Sequence, residues 1–181
     1  MLFNNIFKYI LISKRMYSTL FSKCIPVILK NEGGYCWHEN DPGGETRYGI
    51  CRLFYPDINI KDLTKEEAIN IYYNDYWLPA NLEGIKDENL VLQVFDHLVN
   101  TRSKSFGFKI TIKMLQRIVN VVADGIIGRN TLKAINEADF SVYDLFVKRR
   151  KIFYMNLAAK KPELEVFLNG WLKRVERTKF N

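Results

Sequence analysis

The segment Asn31–Ile50 reads NEGGYCWHENDPGGETRYGI. Before it, residues 19–31 carry Leu20, Cys24, Val27 and Ile28 at helical spacing, so an amphipathic helix is expected to run up to Glu32. Pro26 is expected near the start of that helix or at a kink, because proline removes a donor and crowds the preceding turn. The helix should stop at the glycine pair 33–34. The last ten residues of the quoted segment, DPGGETRYGI, hold three of the chain's ten glycines. Such a density of turn formers predicts a loop or short hairpin. A helix that ends in a carboxylate and is followed by a turn-rich hairpin therefore sets the frame for the chain.

Glu32 sits where the apolar helix gives way to glycine. A carboxyl at such an end loses solvent, and desolvation favours its protonated form. A Glu that keeps its proton near neutral pH can donate it to a leaving oxygen. Asp41 follows after eight intervening residues and Thr46 after four more. One hairpin thus offers two carboxylates and a hydroxyl, and cleavage of a glycosidic bond needs two carboxyl groups flanking it. Residue spacing alone leaves a plainer alternative open. Asp-Pro-Gly-Gly is a turn by itself, Asp41 can cap it, and Glu32 can be an ordinary helix-end carboxylate. Glu39 and Glu45 are further carboxylates nearby, so spacing does not name the partner of Glu32.

Downstream the pattern is helical. Thr64 opens a capping box, TKEE, with Glu67 three residues on. The helix it starts should run through AINIYYNDYW and stop at Pro79. In a regular helix Tyr72 shares a face with Tyr76, and Tyr73 with Trp77; one face belongs to the core, and the other can stack on sugar rings. Asp87 is a cap for NLVLQVFDHLVN, where Asp96 and Asn100 stand one turn apart and can either line a cleft floor or tie helices together. A further helix is expected over 104–119. The segment VVADGIIGRNTLKAINEA reads as a loop and a short helix with Thr131 in its first turn. Asp139 is expected to cap a helix over about 140–160. A last helix, about 163–177, should turn Phe167, Trp171 and Val175 inward. No alternation is long enough for a large sheet.

The 181 residues include 27 Lys and Arg against 20 Asp and Glu, a net charge of +7. A basic chain favours polyanionic partners. No dense basic run interleaves with aromatics, which argues against nucleic acid. His38 and His97 are isolated from other ligand-type residues, so no metal site is expected, and no cofactor. Cys24, Cys36 and Cys51 form no CxxC pair; a Cys36–Cys51 bridge and three free thiols both fit the spacing. At the N-terminus, Lys8 interrupts the apolar stretch, and YILI is too short for a secretory core or a membrane span. Residues 1–18 are therefore read as an extension, with Met16 a candidate start.

Several segments, in order, resemble glycoside hydrolase family 108, the N-acetylmuramidases of phage endolysins and of bacterial secretion-associated systems. They are EGGY at 32–35, DPGGETRYGI at 41–50, LTKEEAINIYYNDYW at 63–77, VFDHLVN at 94–100 and DGIIGRNTLKAI at 124–135. The last resembles the family's helical peptidoglycan-binding segment. The resemblance implies an all-α, mainly helical, lysozyme-like fold with a small β-hairpin beside the active site. It implies a hydrolase part over 19–103 and binding helices over 104–178, packed on the first part. The Glu of EGGY, here Glu32, corresponds to the catalytic acid. The Glu, Asp, Thr order is also similar to that of phage-type lysozymes, which implies Asp41 as second carboxylate and Thr46 as the hydroxyl that positions water.

The implied substrate is peptidoglycan, cut at the β-1,4 bond between N-acetylmuramic acid and N-acetylglucosamine. Tyr35, Arg47, Tyr48, Tyr72, Tyr76, Trp77, Asp96 and Asn100 are the substrate-binding candidates. Two departures from the family pattern stand out: Arg47 replaces an Asn, and VNTRSKSF at 99–106 replaces a more Gly-rich turn. The expected partner is the glycan strand, engaged by a monomer without an integral membrane segment. The protein is expected to be made in the bacterial cytoplasm and to act on the wall after release. A non-catalytic wall-binding module and a virion structural component are the competing readings.

Overall fold

The computed structural model describes residues 16–36, 44–101 and 106–180. The chain divides into two compact units, Met1–Asp75 and Tyr76–Asn181.

In the first unit, helix α1 (Thr19–Glu32) starts at Ser18, whose hydroxyl accepts from the Phe21 amide. Its buried side is Phe21, Cys24, Ile25 and Ile28. Tyr17, Phe21 and Tyr73 form an aromatic cluster with ring centroids 4.9–5.0 Å apart, and the Tyr17 hydroxyl donates to Asn70 Oδ1. Pro26 lies in the helix interior, neither at its start nor beyond it. Its residue is exposed, as is Ser22, whose carbonyl would have received the missing N–H; water can serve that carbonyl, which lowers the usual penalty.

After α1 come two short strands, β1 (Thr46–Arg47) and β2 (Ile50–Cys51), paired antiparallel with Thr46 opposite Cys51 and Arg47 opposite Ile50. Cys36 makes an isolated bridge to Thr46 on the other side. A 3-10 turn at Ile60–Asp62 leads to helix α2 (Lys65–Tyr72). The expected capping box is present: Thr64 Oγ1 accepts from the Glu67 amide, and Glu67 reaches back to the Thr64 amide.

The helix then widens into a π turn, Tyr73–Trp77. The inserted residue breaks the i, i+4 register, so the expected division into a Tyr72/Tyr76 face and a Tyr73/Trp77 face does not hold. Tyr72, Tyr76 and Trp77 are all buried, and Tyr73 is half-buried. Nor does the helix stop at Pro79. A single α turn, Leu78–Ala80, accepts the proline at its start, where no amide partner is needed, and the chain leaves through Asn81 in the left-handed region at φ 51°.

The second unit is built around helix α3 (Glu88–Asn100), capped by Asp87 and buried continuously from Leu90 to Val99. Helices α4 (Phe106–Ile118) and α6 (Val142–Lys160) pack on it, and α7 (Glu165–Arg177) packs on α6. Helix α5 (Arg129–Asn136) follows the loop that begins at Asn120. That loop is closed by the buried Gln116, whose amide donates to Asp124 Oδ1 and accepts from the Gly125 amide. Gly125 is needed there because its φ is +87°.

Polar groups inside α3 are satisfied across the unit. Asp96, fully buried, is held by Arg150 Nη2 at 2.8 Å and by Arg174 Nη2 at 2.8 Å. Gln93 donates to the carbonyls of Val175 and Thr178, and its side-chain oxygen accepts from Arg150. Burial pushes the Asp96 carboxyl up, and the two guanidinium groups outweigh it, holding the pKa at about 2. Two sequence expectations change here. Ser141, not Asp139, caps α6, because its hydroxyl accepts from the Asp144 amide. The inner face of α7 runs through Arg174, Val175 and Thr178, so Phe167 lies at its margin, 53% exposed. Among the described residues the only sheet is β1–β2, and the fold is mainly helical, as expected.

Candidate active site

The first unit brings the end of α1 against the tip of the hairpin. Two residues, Tyr48 and Gly49, connect β1 to β2, and both have positive φ, 51° and 77°. Paired positive φ values are those of a type I′ turn, whose twist matches the strands it joins. Glycine suits the second position for a further reason. A side chain begun on Gly49 would meet Glu32 Oε2 at 2.6 Å, Glu32 Cβ at 2.8 Å and Tyr72 Oη at 2.5 Å. The Glu32 carboxyl and the Tyr72 hydroxyl therefore lie against bare backbone. Tyr72, buried on α2, donates to the Tyr48 carbonyl at 2.6 Å. The hydroxyl thereby ties the turn to α2, while the turn packs on Glu32.

Glu32 itself is half-buried at the last position of α1. Gly33 ends the helix at φ 78°, with its amide returning to the Leu29 carbonyl.

Around it the hairpin is held by charge. Glu45 accepts from Arg52 at 2.5 Å and from the Tyr35 hydroxyl at 3.0 Å. Those two hydrogen bonds, Arg52 first, hold its carboxyl below the ordinary range. Tyr35 is half exposed, and its phenol is pushed up by desolvation and by the Glu45 carboxylate. Arg47 donates to the Lys61 carbonyl, and its guanidinium lies 5.5 Å from the Tyr48 ring centroid. The cation at position 47 thus links β1 to the 3-10 turn and covers the ring at the hairpin tip.

Thr46 sits in the middle of this small sheet. Its amide and carbonyl pair with Cys36 at 2.9 and 2.8 Å, and Cys51 stands opposite it on β2. Cys36 and Cys51 are therefore separated by two strand spacings, roughly 9–10 Å. That exceeds the limit of about 7 Å for a disulfide, and all three cysteines are free thiols. Asp41, with its neighbours Glu39 and His38, lies outside the described residues.

The remaining sugar-binding candidates belong to the second unit and are engaged by protein. Trp77 is fully buried, donating to Glu83 Oε1 at 2.8 Å and meeting the Phe95 ring edge-on at 5.2 Å. Tyr76 is buried. Asp96 is enclosed by its two arginines, and Asn100 accepts from the Tyr154 hydroxyl at 2.6 Å. Enclosed side chains present no surface to a glycan, so the expectation of direct sugar contact is corrected for Tyr72, Tyr76, Trp77 and Asp96, which are buried, and Asp96 instead ties helices together through its arginines. Sequence reasoning missed Gly49, although its place after Tyr48 in a two-residue turn is a recognisable signal, and it missed the Tyr35–Glu45–Arg52 chain. No group of residues able to hold a metal ion is found among those described.

Residues 25–101 match the family model described as glycosyl hydrolase 108, and residues 110–176 match that of a predicted peptidoglycan domain. The chain is similar to the solved structure of Brucella abortus SagA, with 28% identity, a TM-score of 0.69, and coverage of 87% of this chain and 90% of that one. No curated protein matches the sequence.

Proposed function

We propose, from the match of residues 25–101 to the glycosyl hydrolase 108 model and of residues 110–176 to that of a predicted peptidoglycan domain, that this lysozyme-like peptidoglycan hydrolase is an N-acetylmuramidase with Glu32 as its general acid. The bond cut is the β-1,4 link from N-acetylmuramic acid to N-acetylglucosamine. The observation that carries this reading is the Glu32 carboxyl held against the Gly49 turn and the Tyr72 hydroxyl.

In the proposed reaction, protonated Glu32 gives its proton to the glycosidic oxygen as the bond to the anomeric carbon breaks. Positive charge grows on the sugar ring, and Asp41 stabilises it or activates the attacking water. Thr46 orients that water. Water supplies the hydroxyl that ends on the anomeric carbon, and its proton restores the carboxyl pair. The Gly49 backbone, in a turn that Tyr72 ties to α2, restricts the rotamers open to Glu32, which would position the acid before substrate arrives. Tyr35, half exposed beside the hairpin, would supply a ring face for the strand, and Arg47, stacked on Tyr48 at the hairpin tip, a cation.

Glu32→Gln keeps the shape and removes the proton. Hydrolysis of purified peptidoglycan should fall by about 10²–10⁴-fold, with the melting transition unchanged. Products of the wild-type digest should carry reducing-end muramic acid by mass analysis. Reducing-end glucosamine, cut peptides, or a Glu32→Gln protein as fast as wild type would each defeat this assignment.

A further inference from the structure

Helix α7 carries an exposed, outward strip. Val166 is 79% exposed and Phe167 53%. Gly170 follows one turn on, and a side chain begun there would meet nothing within 4 Å. Glycine inside a helix costs stability relative to alanine, and here no neighbouring atom requires it. Lys173, exposed, continues the same face one turn further. The apolar end of the strip has a rigid backing. Phe167 leans on Trp171 at 5.9 Å, and Trp171 stacks on the buried Tyr154 at 5.3 Å. Tyr154 is in turn fixed through its hydroxyl to Asn100. A supported aromatic edge, a gap down to the backbone and a cation thus lie in line.

A sugar ring has an apolar face that packs on aromatic and aliphatic side chains, and peptidoglycan stems carry carboxylates. We propose that Val166, Phe167, Gly170 and Lys173 form a glycan-docking surface of the second unit. One sugar ring of peptidoglycan lies on Phe167 and Val166, Gly170 lets it approach the helix backbone, and Lys173 meets a stem-peptide carboxylate. This assignment rests on the reading that residues 110–176 engage peptidoglycan, and it adds where and how. The match of residues 110–176 to a predicted peptidoglycan domain, with the fit of the Lys173 cation to a stem carboxylate, selects this occupant over a second copy of the chain.

The test is co-sedimentation of the full chain with purified sacculi at 4 °C, for wild type, Phe167→Ala and Gly170→Gln. Both variants should bind about tenfold more weakly, while cleavage of short soluble glycan fragments is unchanged. Gly170→Gln is decisive, because it restores a good helix former and should raise the melting temperature by about 1–4 °C. A residue with a merely structural role would not combine higher stability with weaker binding. If wild type binds and both variants bind equally well, the docking surface is wrong and the peptidoglycan reading stands. If wild type does not sediment with sacculi, the peptidoglycan reading fails and takes this surface with it. Unchanged sedimentation with a loss of self-association in gel filtration would assign the strip to a copy–copy contact and overturn the proposal.

Discussion

The Gly49 backbone lies against the Glu32 carboxyl, so closely that a Cβ on residue 49 would fall 2.6 Å from Glu32 Oε2. The hairpin tip and the helix end are thereby fitted to each other at one point. Gly49→Ala adds a methyl group there and forces alanine to a φ of +77°. The substitution should cost about 1–3 kcal/mol and reduce hydrolysis by at least about tenfold through displacement of the carboxyl. Turnover of peptidoglycan, read beside a thermal melt, checks both; full activity would show that Glu32 tolerates the shift and is not held by the turn.

Tyr72→Phe removes only the hydroxyl that donates to the Tyr48 carbonyl. The carbonyl is left without that donor, at a cost of about 1–3 kcal/mol. Activity should drop severalfold, with a larger loss in kcat than in KM if the turn positions the acid. An unchanged kcat would separate the turn from catalysis.

The Asp96 ion pairs give the second unit an acid limit. Its folded pKa of about 2 lies below the ordinary carboxylate value of 3.8, so the stabilisation is present above pH 4 and is lost as pH falls toward 2. Its size is on the order of 2 kcal/mol. Asp96→Asn should cost about 3–5 kcal/mol at neutral pH, because two buried guanidinium groups lose their counter-charge. Urea unfolding at pH 7 and at pH 3 measures both, and the difference between wild type and variant should narrow at the lower pH.

His97 acts at milder acidity. It is fully buried, its Nδ1 lies 2.9 Å from the Thr111 hydroxyl, and its Nε2 has no hydrogen-bond partner among the described residues. Burial first, then the Arg150 charge, holds its pKa well below the ordinary 6.5. The unfolded chain therefore takes up this proton before the folded one, and stability declines as pH drops below about 6.5. His97→Gln should flatten the melting temperature between pH 6.5 and 5; an unaltered slope would assign that decline to other groups.

The thiols give a chemical check on the hairpin. Cys36 is exposed, and Cys24 and Cys51 are buried. A thiol reagent should titrate one group in the native protein and all three after denaturation. Fewer than three after denaturation without reductant would reveal a bridge that the strand spacing forbids.

The sequence by itself determined the helices and their starts wherever the signal is local. The Thr64 capping box and the Asp87 cap follow from side chains that bond to backbone three residues on, and the turn after Glu32 and the short hairpin follow from glycines free to take positive φ. Local spacing left Glu32 an ordinary helix-end carboxylate, and the resemblance of the EGGY and DPGGETRYGI segments to a known family made it the candidate acid. Only the tertiary structure decided what surrounds these residues. The π turn at Tyr73–Trp77 moved the aromatic faces, because one inserted residue rotates everything after it and no local pattern encodes that choice. Asp96 became an ion-pair centre through Arg150 and Arg174, which lie 54 and 78 positions away. The contact between Gly49 and Glu32, with Tyr72 closing over both, came from three separate elements meeting. Close approach in space depends on how helices and turns pack, and packing is a property of the folded chain as a whole.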